Sequence, residues 1–463
     1  MAAGNKYSSN ELEREIKELE QLFWVSGKKL QQITLRFIEE LEEGLAANGK
    51  TIPMNITWVE GFPTGNETGT YLTLDLGGTN LRVCKVTLSG KGQHSLTQKE
   101  YQLPDELKKS SAYDLWSYIA DSLRKFIDEH PFSGHHERNP IPLGFTFSYP
   151  ATQHSIDHGI LQTWTKGLEI SGVEGEDVAR QLRDAMTERD LPIRLVALAN
   201  DTVGALMASA YADPNTIIGA IFGTGCNGAY MENVKSIRKI QDKHHEYDQD
   251  AKMAINCEYG AFDNELRVLP RTKYDSIVDE QSPKPGEQAF EKMSAGLYLG
   301  EIFRLVVRDL HTRGLLFKDQ NARCLDEGYS IDTAFLSKIE DDDGQAFAQA
   351  VTELEELLGL SISENESGYL RRLAEMINTR GARLCVCGVA AICKKQGIKE
   401  GHVAADGGVV KRSPKFKARW DQAIREVLEL ESEEDTPIRL TSAEDGSGVG
   451  LTIITAMTMG KGK

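Results

Sequence analysis

Apolar residues recur along this chain with two different periods, and each period predicts the element that a stretch forms. Residues 9–47 place leucine, isoleucine and phenylalanine at helical spacing opposite glutamate and lysine, which predicts two amphipathic helices. The same spacing predicts helices over residues 111–129, 173–187, 202–211 and 366–396. From about residue 286 onward the pattern is therefore mostly helical.

Short apolar runs that end at glycine or polar residues predict buried strands between these helices. They cover residues 141–147, 193–199, 216–222, 228–232, 253–257 and 402–405. Residues 71–88 predict a hairpin around a glycine turn, and a strand running into a similar Gly/Thr/Asn turn recurs near residue 223. The pattern thus indicates an α/β fold in which a hairpin unit occurs twice. Because no Pro-, Gly- or Ser-rich linker interrupts the chain, we expect its lobes to pack intimately.

Three glycine turns are compatible with phosphate binding. The first, Asp75-Leu76-Gly77-Gly78-Thr79-Asn80, lies within the predicted hairpin and is followed by Arg82. The second contains Gly223-Thr224-Gly225, and the third, Gly446-Ser447-Gly448, opens an apolar helix near the C-terminus. Glycines leave backbone N–H groups free to form an anion-binding nest, and Asp75 can hold a magnesium ion through water. Three such turns suggest a nucleotide held between two lobes.

A further segment, residues 44–51, matches the phosphate-loop pattern G-x-x-x-x-G-K-[ST]. That pattern binds phosphate only when a strand precedes it and a helix follows it. Here it follows a helical stretch, and Pro53 comes soon after Thr51. We therefore reject the phosphate-loop interpretation and interpret Gly49 as a helix C-cap.

Composition limits the classes of partner. The net charge of −17 argues against nucleic acid and anionic membranes, since both would be repelled. No apolar run approaches the length of a membrane span, and the polar N-terminus lacks the apolar core of a secretory signal. Seven irregularly spaced cysteines fit a reducing cytoplasm, and we interpret Cys385, Cys387 and Cys393 as buried apolar residues. Solvated surface is expected for the acidic runs 340–343 and 431–435 and for the histidine pairs 135–136 and 244–245.

The chemistry is expected where a strand ends at Asn200-Asp201 and a helix begins, the usual place for ligands in open α/β sheets. Taken alone, Asp201 is better explained as the N-cap of that helix. Other polar side chains near strand ends change the balance toward a ligand site: Ser148, Thr165, Lys166, Glu258 and Glu291. Carboxylates, amides and hydroxyls of this kind can pair with the many hydroxyl groups of a sugar.

Several strings in this order resemble the hexokinase family, most closely its fungal single-unit hexokinases and glucokinases. They are Leu74-Asp75-Leu76-Gly77-Gly78-Thr79-Asn80-Leu81-Arg82, Leu143-Gly144-Phe145-Thr146-Phe147-Ser148-Tyr149-Pro150, Trp164-Thr165-Lys166-Gly167, Asn200-Asp201-Thr202, Phe222-Gly223-Thr224-Gly225-Cys226-Asn227, Asn256-Cys257-Glu258-Tyr259-Gly260, Ala405-Asp406-Gly407-Gly408 and Glu444-Asp445-Gly446-Ser447-Gly448. The resemblance covers nearly the whole chain, from about Leu12 to Met457.

The resemblance implies an actin-like, two-lobed fold of duplicated, ribonuclease H-like units with a central cleft. It implies one hexokinase unit over residues 8–453, with a small subdomain at 64–200 against which the C-terminal helix 446–460 also packs. Residues 201–445, together with the N-terminal helices in 1–63, would form the large subdomain. The implied activity is transfer of the γ-phosphoryl group of Mg-ATP to the 6-hydroxyl of glucose, and of fructose and mannose, as the first step of glycolysis.

The resemblance also implies a role for each matching residue. Asp201 would be the general base, and the cleft would close on sugar. The sugar would be held by Ser148, Thr165, Lys166, Asn200, Asp201, Asn227, Glu258 and Glu291. The ATP would be held by Asp75, Leu76, Gly77, Gly78, Thr79, Asn80, Arg82, Thr224, Gly225, Asp406, Gly407, Gly446, Ser447 and Gly448.

Two other functions remain open at this point. A glucose-binding sensor with low turnover would keep the sugar residues, and an actin-like ATPase would share the phosphate turns. The ATPase does not need Ser148, Glu258 and Glu291, which disfavours it. The expected partners are a hexose, ATP and Mg²⁺, with no nucleic acid or membrane, in a monomer or homodimer.

Overall fold

The computed structural model describes residues 2–134, 138–164, 167–341, 343–413, 415–430 and 437–461. Its strands are β1 (Asn55–Glu60), β2 (Thr68–Leu76), β3 (Asn80–Gly90), β4 (Gln93–Gln102), β5 (Ile141–Phe147), β6 (Ala151–Ser155), β7 (His158–Leu161), β8 (Ile193–Ala199), β9 (Thr216–Phe222), β10 (Cys226–Asn233), β11 (Lys252–Asn256), β12 (Gly401–Asp406) and β13 (Ile438–Ser442). Its helices are α1 (Ala2–Phe23), α2 (Gly27–Ala46), α3 (Ala112–Glu129), α4 (Val178–Glu188), α5 (Asp201–Ala212), α6 (Lys273–Gln281), α7 (Ala289–Ser294), α8 (Gly296–Thr312), α9 (Thr333–Ile339), α10 (Gly344–Leu358), α11 (Glu364–Gln396), α12 (Gly408–Arg412), α13 (Phe416–Leu428) and α14 (Leu451–Lys461). A π-helical turn, Gly446–Gly450, leads directly into α14.

Two sheets repeat the same arrangement of strands. The five-stranded sheet has the order β4-β3-β2-β5-β8, and the six-stranded sheet has the order β1-β11-β10-β9-β12-β13. In the first, the antiparallel strands β2, β3 and β4 are followed by β5 and β8, which run parallel to β2. In the second, β9, β10 and β11 form the antiparallel part, and β12 and β13 run parallel to β9. The hairpin unit that the sequence predicts to occur twice is therefore confirmed.

Helices α5 and α14 lie between the two sheets. An apolar cluster joins Val203 of α5 and Ile453 of α14 to Val86 of β3 and to Ala229 of β10. Two further clusters lie on the outer sides. One joins α3 and α4 to the five-stranded sheet, and the other joins α2, α8, α11 and α13 to the six-stranded sheet. The element that carries Asp201, helix α5, is thus held by both halves of the molecule.

By length and average composition, helix α11 could cross a membrane. Polar residues interrupt it, so it contains no unbroken apolar run of about 18 residues. Its most apolar window is 94% buried inside the protein, where it packs against α2, α8 and α13. It holds Cys385, Cys387 and Cys393, which are all buried, as predicted for apolar residues. Burial raises the pKa of the Cys387 and Cys393 thiols to about 12.

Two predicted helix boundaries are wrong. Helix α4 begins at Val178 rather than at residue 173, because Asp177 is extended and its side chain accepts a hydrogen bond from the Ala179 N at 3.0 Å. Helix α2 ends at Ala46 and its cap is Ala47, so Gly49 is not the C-cap. Gly49 instead lies in the turn that follows, with a φ of +74°.

The acidic run at 340–343 is not entirely solvated. Glu340 is fully buried, and hydrogen bonds that Arg419 and Asn378 donate to its carboxylate offset the cost of burying it. Of the pair at 244–245, His245 is exposed and His244 is half-buried. The run 431–435 and the pair 135–136 lie outside the described residues.

Candidate functional site

Strand register brings several predicted residues to one edge of the five-stranded sheet. Thr146 of β5 lies opposite Asp75 of β2 on one side and opposite Ala199 of β8 on the other. Because these strands are parallel, the segments that follow them begin at the same edge. The glycine turn after β2, Ser148 after β5 and the start of α5 after β8 are therefore neighbours.

Asn200, not Asp201, caps helix α5. Asn200 Oδ1 accepts a hydrogen bond from the Thr202 N at 2.8 Å, and Asp201 is the first residue of the helix. The alternative explanation of Asp201 as the cap is therefore wrong. Its half-buried carboxylate accepts a hydrogen bond from Thr202 Oγ1 at 3.3 Å and forms no ion pair with any described residue. A structural cap or salt bridge does not account for this carboxylate.

A polar network links the start of α5 to strands β10 and β11. Asn227 Nδ2 donates to Thr202 Oγ1 at 3.1 Å, to Asn256 Oδ1 at 2.7 Å and to Glu258 Oε1 at 3.3 Å. Asn256 Nδ2 donates to the same Glu258 oxygen at 2.8 Å. Thr202 and Asn256 were not predicted as supports, although both lie inside strings that resemble the hexokinase family. Together they fix the side chains of Asn227 and Glu258.

Glu258 has an unusual backbone conformation, with a φ of +55° and a ψ of 43°. For a residue with a Cβ, the left-handed region costs about 1–3 kcal/mol and tends to occur at functional sites. The Glu258 backbone N donates to Asn227 Oδ1 at 2.9 Å, which helps to hold this conformation. Packing thus maintains a strained backbone that presents the Glu258 carboxylate beside Asn227.

Glu291, on helix α7, lies against the second glycine turn. Its Oε2 accepts a hydrogen bond from the Cys226 N at 3.0 Å. A Cβ at Gly225 would lie 2.6 Å from this oxygen, and one at Gly260 would lie 3.2 Å from it. Small residues at these two positions leave room for the Glu291 carboxylate. Since Glu258 binds Asn227 and Glu291 binds Cys226, both predicted carboxylates flank the start of β10.

The remaining sugar residues are described in part. Ser148 is half-buried and is followed by Tyr149, whose ring lies 5.0 Å from that of Phe147 and 4.9 Å from that of Trp164. Burial, with a further contribution from the Asp75 charge, raises the pKa of Tyr149. Thr165 and Lys166 lie outside the described residues.

The first glycine turn projects from the sheet. The Gly77 N donates to the Asn80 O at 3.0 Å, which closes the turn, while Thr79 and Asn80 are exposed. Behind the turn, Arg82 binds both carboxylate oxygens of Asp445 at 2.8 and 3.2 Å. Arg82 also lies 3.5 Å from Asp75. Burial opposes the charge on Arg82, but the Asp445 carboxylate raises the pKa of Arg82 overall, so the guanidinium stays charged.

The second and third turns lie against other backbone segments. A Cβ at Gly407 would lie 2.4 Å from the Phe222 O, and one at Gly223 would lie 3.1 Å from the Gly407 Cα. The third turn packs on the start of α5, where a Cβ at Gly446 would lie 2.7 Å from the Asp201 O. Asp406, Gly407 and the two turns therefore border the same region as Asp201.

A cavity of about 370 Å³ begins beside the second turn. Most of its lining was not predicted from the sequence, because no motif marks these residues. The lining includes Thr224, Leu297, Tyr329, Ser337, Asn378 and Phe416. Thr224, Leu297 and Tyr329 are exposed and form its mouth, whereas Ser337, Asn378 and Phe416 are buried and form its deep end.

Metal binding by the protein alone is not indicated within the described residues. They include no group of three or more His, Cys, Asp or Glu side chains placed to hold a metal ion. The carboxylates nearest the first glycine turn are those of Asp75 and Asp445, and Arg82 binds both. A metal ion at this turn would therefore need further ligands from a bound molecule.

Comparison with family models gives two adjoining matches. The model described as hexokinase for the N-terminal part matches residues 15–211, and the model of the same description for the C-terminal part matches residues 217–457. The boundary between them falls at the end of α5.

Curated relatives align over nearly the whole chain. A hexokinase of Emericella nidulans is 52% identical over 96% of this chain and 90% of its own length. A hexokinase of Kluyveromyces lactis is 50% identical over 96% of this chain and 92% of its own. Hexokinase-2 of Saccharomyces cerevisiae is 48% identical, with the same coverage of 96% and 92%.

Solved structures show the same architecture. The Schistosoma mansoni hexokinase complexed with glucose superposes with a TM-score of 0.85 at 32% identity. The superposition covers 96% of this chain and 99% of that one. The two-lobed, actin-like α/β fold expected from the sequence is therefore confirmed.

Proposed function

This chain belongs to the hexokinase family and is a hexose phosphotransferase, and from that premise we propose that it transfers the γ-phosphoryl group of Mg-ATP to the 6-hydroxyl of glucose. Fructose and mannose would be further acceptors, and the reaction would open glycolysis in the cytoplasm. The relatives are named hexokinases, and the Schistosoma mansoni structure contains glucose, which supports this choice of substrate.

The observation that carries the proposal is the hydrogen-bond chain from Asp201 through Thr202 to Asn227 and Glu258. The Asp201 carboxylate, which forms no ion pair with any described residue, thus lies next to side chains that can pair with sugar hydroxyls. Asp201 would then accept the proton of the 6-hydroxyl as that oxygen attacks phosphorus, while Asn227, Glu258 and Glu291 fix the sugar. Such a base contributes about 10²–10⁴-fold to the rate of the reaction.

The other sugar contacts would come from the edge of the small lobe. Ser148 and Asn200 lie there by strand register, and Thr165 and Lys166 are assigned by family resemblance alone. We propose a small subdomain at residues 64–200 and a large one at 201–445 together with 1–63, and the strand composition of the two sheets supports this division. We propose that sugar binding closes the cleft between these halves and shields the phosphoryl group from water.

The nucleotide would lie along the three turns and in the 370 Å³ cavity. Backbone N–H groups at residues 75–80 and Thr224-Gly225 would bind its phosphates, with Arg82 as a nearby cation. Adenosine would enter the cavity past Asp406-Gly407, while the turn Gly446-Ser447-Gly448 borders the phosphates. Mg²⁺ would arrive with the nucleotide and reduce its charge, and Asp75 in the first turn would hold it through water.

The test is substitution of the proposed base. Asp201→Ala is expected to lower kcat by at least about 10²-fold while glucose binding, measured by calorimetry, largely survives. Asp213→Asn, at the other end of α5 and outside the site, is the matched control and is expected to keep its turnover. An Asp201→Ala enzyme that keeps more than about a tenth of wild-type kcat would contradict the role of Asp201.

A coupled assay with glucose, fructose, mannose and no sugar separates the alternatives. Sugar-dependent consumption of ATP supports the kinase. Sugar-independent hydrolysis would indicate an actin-like ATPase, and tight glucose binding without turnover would indicate a sensor. Small-angle scattering tests closure, since glucose is expected to reduce the radius of gyration.

A further inference from the structure

The deep end of the cavity holds a buried polar cluster that the proposed phosphoryl transfer does not use. Asn378 Nδ2 donates to Glu340 Oε1 at 2.9 Å, and Arg419 Nη1 donates to Glu340 Oε2 at 2.8 Å. Glu340 is fully buried, and Asn378 is 6% exposed. Of the three, Asn378 lines the cavity. Glu340 and Arg419 therefore stand behind it.

Glu340 determines which way the Asn378 amide points. Burial raises the pKa of Glu340, and the charge and hydrogen bond of Arg419 oppose that rise. Both Glu340 oxygens accept hydrogen bonds, one from Arg419 and one from the NH₂ group of Asn378, which fixes the orientation of the amide. The opposite orientation would set the Asn378 oxygen against the Glu340 oxygens. Arg419 neutralises the buried charge, and Arg371 donates to the Glu340 and Asp341 backbone oxygens, which fixes the end of α9.

The Asn378 Oδ1 is then the group that the cluster offers to a ligand. It accepts no hydrogen bond from any residue in the described part of the chain, and its side chain borders the cavity. Because the mouth of the cavity lies at the phosphate turn, the part of a nucleotide that reaches Asn378 is the base. A single fixed acceptor at the deep end of a base pocket requires a donor on the base.

We propose that Asn378 Oδ1 accepts a hydrogen bond from the exocyclic amino group of adenine and that Glu340 and Arg419 are positioning residues that lock this orientation. This inference rests on the proposed function, and it makes the cavity selective for ATP over purine nucleotides with a 6-oxo group. Such a base would place its carbonyl oxygen against Asn378 Oδ1, and the amide could not flip without facing Glu340.

The probe is inosine triphosphate, which carries a 6-oxo group in place of the 6-amino group of ATP and lacks the 2-amino group of guanine. The wild-type enzyme is expected to prefer ATP over inosine triphosphate in kcat/KM by about 10- to 100-fold. Asn378→Ala is expected to bring the two nucleotides within about threefold of each other, mainly through KM.

Glu340→Gln gives the sharper result. A glutamine can donate or accept, so the Asn378 amide is freed to flip and kcat/KM for inosine triphosphate is expected to rise about tenfold. A merely structural defect would lower the use of both nucleotides and would not improve either one. Leu297→Ala, at the mouth, is the control and is expected to weaken both nucleotides equally.

Equal use of ATP and inosine triphosphate by the wild-type enzyme would overturn the inference, as would parallel losses in Asn378→Ala and Glu340→Gln. If Glu340→Gln does not fold, Asn378→Ala and Asn378→Ser decide the question. If the wild-type enzyme transfers no phosphoryl group to sugar, the proposed function fails. Calorimetry would then compare the affinities for ADP and inosine diphosphate, and it would still test whether Asn378 discriminates between the two bases.

Discussion

The hairpins β2–β3 and β9–β10 carry similar glycine turns at corresponding places in their sheets, yet the two turns have different surroundings. The first projects from its sheet, and its Thr79 is exposed. The Leu103 N donates to its Thr79 O at 2.8 Å, and the Arg82–Asp445 pair stabilises its base. The second turn is packed against backbone, because the Gly296 N donates to the Gly223 O at 2.7 Å and Gly407 lies directly beside it.

This difference shows that two turns with the same motif can be held in place by different contacts. The first turn is held from behind by the Arg82–Asp445 pair and by one backbone hydrogen bond from Leu103. Backbone contacts with Gly296 and Gly407 hold the second turn in place beside the proposed nucleotide site. Substitutions that place a Cβ against the backbone of the second turn should therefore lower stability the most, and substitutions behind the first turn should have smaller effects on stability.

The largest effect is expected at Gly407. Its φ is +117°, and an added Cβ would lie 2.4 Å from the Phe222 O, which is backbone and cannot move aside. Gly407→Ala is expected to lower the free energy of unfolding by about 3 kcal/mol or more. Thermal and urea unfolding followed by circular dichroism would measure the loss.

Gly408 provides the matched control. A Cβ there would meet nothing within 4 Å, so Gly408→Ala is expected to leave the unfolding midpoint nearly unchanged. Equal stability of the two alanine variants would show that the second turn is not fixed by backbone packing.

Gly225 tests the same turn on its sugar side. An added Cβ would lie 2.6 Å from Glu291 Oε2, which is the end of a flexible side chain and can move. Gly225→Ala is therefore expected to displace the carboxylate, costing its hydrogen bond to the Cys226 N and raising the KM for glucose about tenfold. Steady-state kinetics would show the change, with little change in the unfolding midpoint. An unchanged KM for glucose would remove Glu291 from the proposed sugar contacts.

Behind the first turn, Arg82 and Asp445 form a two-point ion pair. Arg82→Met and Asp445→Asn are each expected to cost about 1–2 kcal/mol of stability, and the double variant is expected to cost less than their sum. A double-mutant cycle on unfolding free energies measures this coupling. Strictly additive losses would mean that the pair does not stabilise the turn.

Most of the fold could be predicted from the sequence, because periodicity reports burial locally. Strands β5, β8 and β9 have the bounds that their apolar runs predict. The errors at α4 and at Glu340 arose because polar side chains found hydrogen-bond partners that the apolar periodicity does not report. Asp177 caps α4 later than its apolar pattern suggests, and Glu340 is buried through partners that are distant in sequence.

The site could be predicted in its motifs but not in its supports. Thr202 and Asn256 act through hydrogen bonds between elements that are far apart in the chain. The cavity beside Thr224 is lined from helices α9, α11 and α13 without a common motif. Contacts of this kind depend on tertiary packing, which no local spacing encodes.

The smallest effect is expected at Thr146, which supports the third turn from below. Its Oγ1 donates to the Ser447 O at 2.8 Å, and the side chain is fully buried. Thr146→Val keeps the shape but removes this hydrogen bond, so a loss of about 1 kcal/mol is expected in urea unfolding. Thr97→Val, at an exposed position on β4, is the control and should change the midpoint little. If Thr146→Val is as stable as that control, the third turn keeps its place through its backbone packing on α5 alone, and it would then belong with the second turn rather than with the first.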